Sequence, residues 1–379
     1  MKRLLFYFFI ASLCSLGITA CETEENFVRE KEFIISTDTT FVADTIINSD
    51  TTFTADTIIR PDTIIQKIDT IIKMDTIVTN DTIINNDTVI NKNSIISQDT
   101  IILSYEKYMG IKPAKVTTQG AACYGKYLFQ GYSTNNRLNV FDLEQKYSLC
   151  TIDIPAPPAS SKTHANTINF GSERFSPDDY FPLLYINSGY TKKIDGSLCS
   201  AIYVYRINKF DDSDGNEGFN IEFVQTITLK GFNTWTEGVI DNDHNILWIK
   251  YEPNGTHGEY RYASFPMPKL KDGDVTILKE NASTDFSLGV QPFTSSNQGH
   301  IYYNNKIILV SGTSPTIQKL ALIVINTITQ KRELVIDLNE IGLTSEPENV
   351  FFYKGQLMIG YKGAIYKFYL QNASGDNWL

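Results

Sequence analysis

Five stretches of this 379-residue chain place a hydrogen-bonding side chain just ahead of a short β-prone run. They carry Gln119, His164 or Asn166, Glu237, Gln298 and Glu348, with Trp235 and Glu346 close by. Two chemistries fit these types. Glu237 and Glu348 could act as acid and base on a glycosidic bond if their carboxyls stand about 5 to 10 Å apart. Alternatively, amides that both donate and accept, beside an indole that stacks on an apolar sugar face, suit binding of a hydroxyl-rich ligand. The bland alternative is that these Gln and Glu satisfy backbone groups between neighbouring structural units, as their recurrence implies. A serine-nucleophile reading lacks its GxSxG elbow. His244 falls in a turn, His257 in a polar loop, and His300 begins a strand. No CxxC or Cys/His spacing points to zinc, and no cofactor or metal is expected. The run "DDSDGNEG" from Asp211 is rich in oxygen ligands but lacks the closing Glu of a calcium loop, so it reads as a solvated loop.

The elements that must hold these residues repeat. "QGAACYGKYLFQGY" from Gln119, "EGVIDNDHNILWIKY" from Glu237, "QGHIYYNNKIILVSG" from Gln298 and "ENVFFYKGQLMIGY" from Glu348 align without forcing. Each is a β-prone run, a turn and a second apolar run, with turn chemistry at Gly125-Lys126, Asp243-His244, Asn304-Asn305 and Lys354-Gly355. A third strand follows each ("RLNVFDL", "YRYASF", "LALIVINT", "AIYKFYL"), and a fourth follows three of them ("YSLCTIDI", "DVTILK", "RELVIDL"). A less regular unit lies between the first two, running from His164 to about Leu229. Five units of four antiparallel strands predict an all-β fold, a five-bladed β-propeller over residues 103–370, with 371–379 as a tail. The last unit lacks a fourth strand, and "IKPAKVTT" from Ile111 is the expected donor that closes the ring. A sixth blade would have to lie in Asp211–Gly218 or Lys279–Thr294, which read as loops.

The N-terminus gives an address. Met1-Lys2-Arg3 is a basic start and Leu4 to Leu16 an apolar run of signal-peptide length, so residues 1–20 read as a signal peptide. Ile18-Thr19-Ala20-Cys21 resembles the lipobox of bacterial lipoproteins, which implies acylation at Cys21; each buried CH₂ of such an anchor contributes about 0.8 kcal/mol. Glu22-Thr23-Glu24-Glu25, within a polar tether at 21–37, resembles the surface-export signal of Bacteroidetes lipoproteins. The resemblance implies an outer-membrane, surface-exposed protein whose membrane partner is reached through lipid. A net charge of −10 argues against nucleic acid. Of the cysteines beyond Cys21, Cys123 and Cys150 fall in one sheet unit and are the more natural pair if a disulfide forms; with Cys199 they otherwise stay free thiols.

Between tether and propeller, Asp-Thr followed by Ile, Val or Thr occurs ten times, mostly at a step of six, across residues 38–102. An even period shows the same faces in every copy of an extended chain. Gly is absent and Pro occurs once, so tight hairpins between copies are not encoded. An extended stalk is favoured over a β-solenoid or pairing between chains. The triplet resembles the acceptor of Bacteroidetes O-glycosylation. That resemblance makes Thr39, Thr45, Thr51, Thr57, Thr63, Thr70, Thr76, Thr82, Thr88 and Thr100 candidate sites, where sugar would mask isoleucines that otherwise invite aggregation.

The whole pattern resembles the propeller lipoproteins of Bacteroidetes, whose blades start their inner strands with Gln-Gly or Glu-Gly. The expected function is therefore lipid-anchored binding of a glycan or protein at the axial mouth. Two alternatives stand beside it, a propeller-fold glycoside hydrolase or lyase and a structural part of an envelope complex. Five-bladed glycosidases, similar in architecture, present acidic residues on three blades, and here the matching positions are acidic only in Glu237 and Glu348.

Overall fold

The computed structural model describes residues 101–379, except 112–117, 133–135, 156–164, 188–191, 195–196, 212, 233, 254–258, 291–296, 314–318 and 373–374, together with the backbone of 83–85 and 88–96. Five antiparallel sheets form five blades. Blade 1 consists of Thr118–Tyr124, Tyr127–Tyr132, Arg137–Asp142 and Tyr147–Asp153. Blade 2 consists of Ile168–Phe170, Leu184–Asn187, Ser197–Asp211 and Glu217–Lys230. Blade 3 consists of Thr236–Asp241, Ile246–Tyr251, Glu259–Pro266 and Thr284–Val290. Blade 4 consists of Asn297–Tyr303, Lys306–Ser311, Ala321–Asn326 and Lys331–Asp337. Blade 5 consists of Pro347–Tyr353, Gln356–Tyr361, Ala364–Gln371 and, from the N-terminal side, Ile101–Gly110. The first strand of each blade packs against the first strand of its neighbours, closing a ring.

Local chemistry explains the hairpins. Asn304 and Asn305 both take positive φ (47° and 60°) in the two-residue turn that pairs Tyr303 with Lys306. Asn pays less than other residues for this conformation, and a turn with two such positions matches the strand twist. In blade 3 the loop is longer, and the Asp241 carboxylate takes the amides of Asp243 and His244 at 3.0 Å.

The core lies between blades. Leu138, Phe129 and Tyr127 of blade 1 meet Leu184, Tyr205 and Phe219 of blade 2. Equivalent apolar layers join blade 2 to 3, 3 to 4, 4 to 5 and 5 to 1. Every blade is thus buried on both faces, which is why its strands read as nearly continuous apolar runs.

Three expectations need correction. The ring is closed by an N-terminal strand, but it is Ile101–Gly110, not the segment from Ile111, of which 112–117 lie outside the described residues. Ile101, Leu103 and Tyr105 alternate inward, which makes that segment a half-buried strand. "DVTILK" does not complete blade 3. Val275–Leu278 pairs in parallel with Glu217–Lys230 at the rim of blade 2, and blade 3 takes Thr284–Val290 from a stretch that reads as loop. A tight hairpin does form in the repeat: Ile83–Asn85 pairs with Thr88–Ile96, which extends blade 5 beyond Ile101–Gly110. The cysteines follow the free-thiol expectation: Cys123, Cys150 and Cys199 form no disulfide. The first two lie on the inner and outermost strands of blade 1, and three strand spacings amount to about 14 Å, beyond disulfide reach.

Candidate functional site

The residues singled out on the inner strands do come to the axis. Gln119, Asn166, Glu237, Gln298 and Glu348 are all buried, Glu237 at 1% exposure and Glu348 at 0%. His164, Cys21 and the ten candidate threonines lie outside the residues whose side chains are described. Three of the Gln/Glu motifs sit on bulges: the register slips between Thr118 and Ala121, between Asn297 and His300, and between Pro347 and Asn349. An extra residue in one strand bends it and re-aims its side chain. Glu237 sits in unbroken register opposite Lys250.

The glycine after Gln119 and Gln298 has a separate cause. A Cβ on Gly120 would lie 2.5 Å from the carbonyl oxygen of Asn166, and one on Gly299 would lie 2.5 Å from the Cα of Asn349. The inner strands touch backbone to backbone there, and Gly120 donates its amide to the Ala165 carbonyl at 2.8 Å. The motif therefore has two halves. Its glycine lets blades approach, and its Gln or Glu faces the axis.

The polar side chains bond across blades. Asn166 donates to Glu237 Oε1 at 3.2 Å and to the Asn297 carbonyl at 3.5 Å, joining blades 2, 3 and 4. The Trp235 indole donates to the same Glu237 oxygen at 3.3 Å. Gln119 donates to its neighbour's carbonyl, Thr118 O, at 2.8 Å and to Glu348 Oε2 at 3.4 Å. Asn349 donates to the Gln119 carbonyl at 2.9 Å. Gln298 donates to Glu346 at 2.8 Å. Bridging of backbone between blades, the bland alternative, thus accounts for Asn349 and for part of Asn166. It does not account for Glu237 and Glu348, whose oxygens receive side-chain donors.

The electrostatics separate the two carboxyls. Burial, aided by the charge of Glu346 and opposed by Lys362, pushes Glu348 up to about 9, so it holds its proton near neutral pH. Burial also raises Glu346. The strand readings missed the Lys250–Glu252 pair, while His300, read as starting an inner strand, does face a neighbouring blade. His300 of blade 4 places Nδ1 3.4 Å from Glu237 Oε2 and 2.9 Å from the Gln298 carbonyl; burial lowers its pKa, against the pull of Glu237. Lys250 is a buried cation that pairs with Glu252 at 2.8 Å and lies 4.2 Å from the Tyr260 ring. A lysine inside "ILWIKY" was the available signal, since a buried cation needs a partner.

Among the described residues, Trp235 and Glu346 are the partly exposed members beside this buried ring. The fold and this axial site define a five-bladed β-propeller protein with a polar, carboxyl-bearing axis. No family model and no curated protein matches the chain. Solved structures similar to it include a luciferin-regenerating enzyme at 10% identity and TM-score 0.37, over 68% of this chain and 92% of that one. Others are the glutaminyl cyclase of Myxococcus xanthus (11%, TM-score 0.36, 70% and 96%) and the tail fiber of Staphylococcus aureus phage P68 (10%, TM-score 0.38, 70% and 52%).

Proposed function

We propose that this chain is a lipid-anchored surface protein that carries its propeller on an O-glycosylated repeat stalk and binds a glycan or another macromolecule at the axial mouth. The carrying observation is the Trp235 indole, partly exposed and held by Glu237 beside the buried amide ring. A fixed indole offers a stacking face at little entropic cost, and the partly exposed Glu346 carboxyl beside the ring can pair with ligand hydroxyls. Glycan-array binding by the full mature chain tests this. Retained glycans should be released by Trp235→Ala. Unchanged binding in that variant removes the axial mouth as the site, and no retained glycan leaves a protein partner or an assembly role. The stalk carries its own test: intact mass from the native host should exceed that of the acylated polypeptide, with the excess mapping to residues 38–101. An unmodified stalk peptide refutes the glycosylation.

Hydrolysis is the second reading, favoured by one observation. Glu348 keeps its proton near neutral pH, as a general acid must. It ranks behind binding because neither Glu348 nor Glu237 is exposed enough for a glycosidic bond to reach. Product release from a polysaccharide panel, lost in Glu237→Gln, would promote it; release that survives in Glu237→Gln would exclude this pair.

A further inference from the structure

The protein-protein hydrogen bonds at the axis leave a cluster of buried acceptors over. Asn166 spends its amide N–H groups on Glu237 and on the Asn297 carbonyl, and Gln119 spends its own on Thr118 and Glu348. Asn297 bonds the Tyr260 hydroxyl through its side chain. His300 faces the Gln298 carbonyl with Nδ1, so its proton sits there and Nε2 is bare. Each amide orientation is thereby set by its bonds. Gln119 Oε1, Asn166 Oδ1, Glu237 Oε2, Asn297 Oδ1 and His300 Nε2 accept no hydrogen bond among the described residues, and Glu237 Oε2 has only the longer approach of His300 Nδ1 at 3.4 Å. All of them offer lone pairs. Buried donors lack partners too: the hydroxyls of Thr118, Thr167, Thr236 and Tyr262, Asn187 Nδ2 and the protonated Glu348 carboxyl, none of which bonds these acceptors.

The setting makes this remainder costly. Gln119, Asn166, Glu237, Asn297 and His300 are exposed by 7% or less. A buried acceptor without a donor forfeits its hydration, and a buried carboxylate oxygen forfeits the most. Lys250, the cation whose charge reaches His300, is already committed to Glu252 and the Tyr260 ring. The axis is also narrow, since the inner strand of blade 4 comes into contact with those of blades 1 and 2, to which it is not adjacent.

From this we infer that the axis binds a hard, oxygen-seeking cation of the Ca²⁺ class, held by Glu237 with the side-chain oxygens of Asn166 and Asn297. One carboxylate with neutral amide oxygens from three separate blades is an irregular donor set. Ca²⁺ tolerates such sets, whereas Mg²⁺ demands a near-ideal octahedron. The ion would tie blades 2, 3 and 4 together at the axis, independently of any glycan bound outside.

Terbium, a luminescent stand-in for Ca²⁺, tests this on the full mature chain after chelator treatment. Excitation of tryptophan should give saturable terbium emission that Ca²⁺ competes away, because the Trp235 indole is bonded to Glu237. Glu237→Gln should weaken terbium binding at least tenfold. Trp235→Phe should cut the emission, because it removes the indole bonded to Glu237. Asn166→Asp places a second carboxylate against Glu237, so it should melt below wild type in chelator and recover on addition of Ca²⁺. This last arm keeps the test open if Glu237→Gln fails to fold. No Ca²⁺-competed emission, or emission unaltered in both Glu237→Gln and Trp235→Phe, overturns the site. Asn166→Asp without Ca²⁺-dependent recovery overturns it as well.

Discussion

Gly299→Ala should loosen the seam between blades 4 and 5, and the structure gives the size of the effect. The added Cβ would lie 2.5 Å from Asn349 Cα, 2.9 Å from Val350 N and 3.1 Å from Asn349 C. All three are backbone atoms, so no side chain can turn aside. Ordinary contact requires the two inner strands to part by about 1 Å. A gap of that size forfeits about a quarter to a half of each dispersion well it opens. A buried Leu makes about 50 contacts of about 0.15 kcal/mol, so losing a third of one such set costs about 2.5 kcal/mol. This sits within the usual overpacking range of about 1–3 kcal/mol. In a unit of this size it should lower Tm by about 5 °C or more. Gly363→Ala is the control, because no atom lies within 4 Å of its Cβ position and its φ is outside the left-handed region. It should stay within about 0.5 kcal/mol of wild type. Urea unfolding of the two variants, followed by tryptophan fluorescence, reads both. Equal stability in Gly299→Ala and Gly363→Ala would refute the claim that the Gln-Gly glycine exists for blade contact.

Three further outcomes follow from the same geometry. Phe181, 1% exposed and in ring contact with Tyr127, Phe129, Phe170 and Phe219, should cost about 3–5 kcal/mol as Phe181→Ala in urea unfolding. Burial pushes Asp142 up, but Lys126 at 2.8 Å and the amides of Gln145 and Glu144 outweigh it and hold the carboxyl below its usual range. Its stabilisation is therefore present above the unfolded pKa of about 4 and lost as pH falls through the lower folded value. Asp142→Asn should cost about 1–2 kcal/mol at neutral pH, with the gap closing in acid; a gap that widens in acid contradicts the assignment. A chain trimmed to begin at Ile111 loses Ile101, Leu103, Tyr105 and Met109, each exposed by 5% or less. That burial is worth about 6–12 kcal/mol, comparable to a whole domain's stability, so cooperative unfolding should vanish, while a chain beginning at Ile101 keeps it.

The propeller was legible because every blade but the second begins with a hairpin whose turn residues announce themselves, as Asn304-Asn305 does. Partners were less legible than strands. "DVTILK" is a strand, as its pattern implies, yet it pairs with Glu217–Lys230 of the preceding blade, and nothing local distinguishes one neighbour from another. Thr284–Val290 reads as loop because Gly289 and polar residues interrupt it, although Phe286 is buried against Trp248. Ile101–Gly110 carries a clear alternation, but it follows directly on a repeat with the same apolar vocabulary, which hides where one ends and the other begins. The axial residues were found through recurrence, and recurrence misses what occurs once. Lys250 with Glu252, and His300 against Glu237, arise only when the ring brings separate blades together.

That distinction also bears on what the axis is for. If the Gln and Glu served only the seams between blades, their polar atoms should end on backbone groups of the next blade. Gly120 and Asn349 do so, with bonds to the Ala165 and Gln119 carbonyls. Glu237 does not. Its two oxygens face Asn166, Trp235 and His300, side chains that come from blades 2, 3 and 4, and one oxygen keeps a lone pair unused. A seam needs no carboxyl there. Glutamine would fill the same volume and would bring an N–H to an axis that already has acceptors to spare. Glu237→Gln should therefore leave the blades assembled and, on the proposal above, weaken cation binding at the axis.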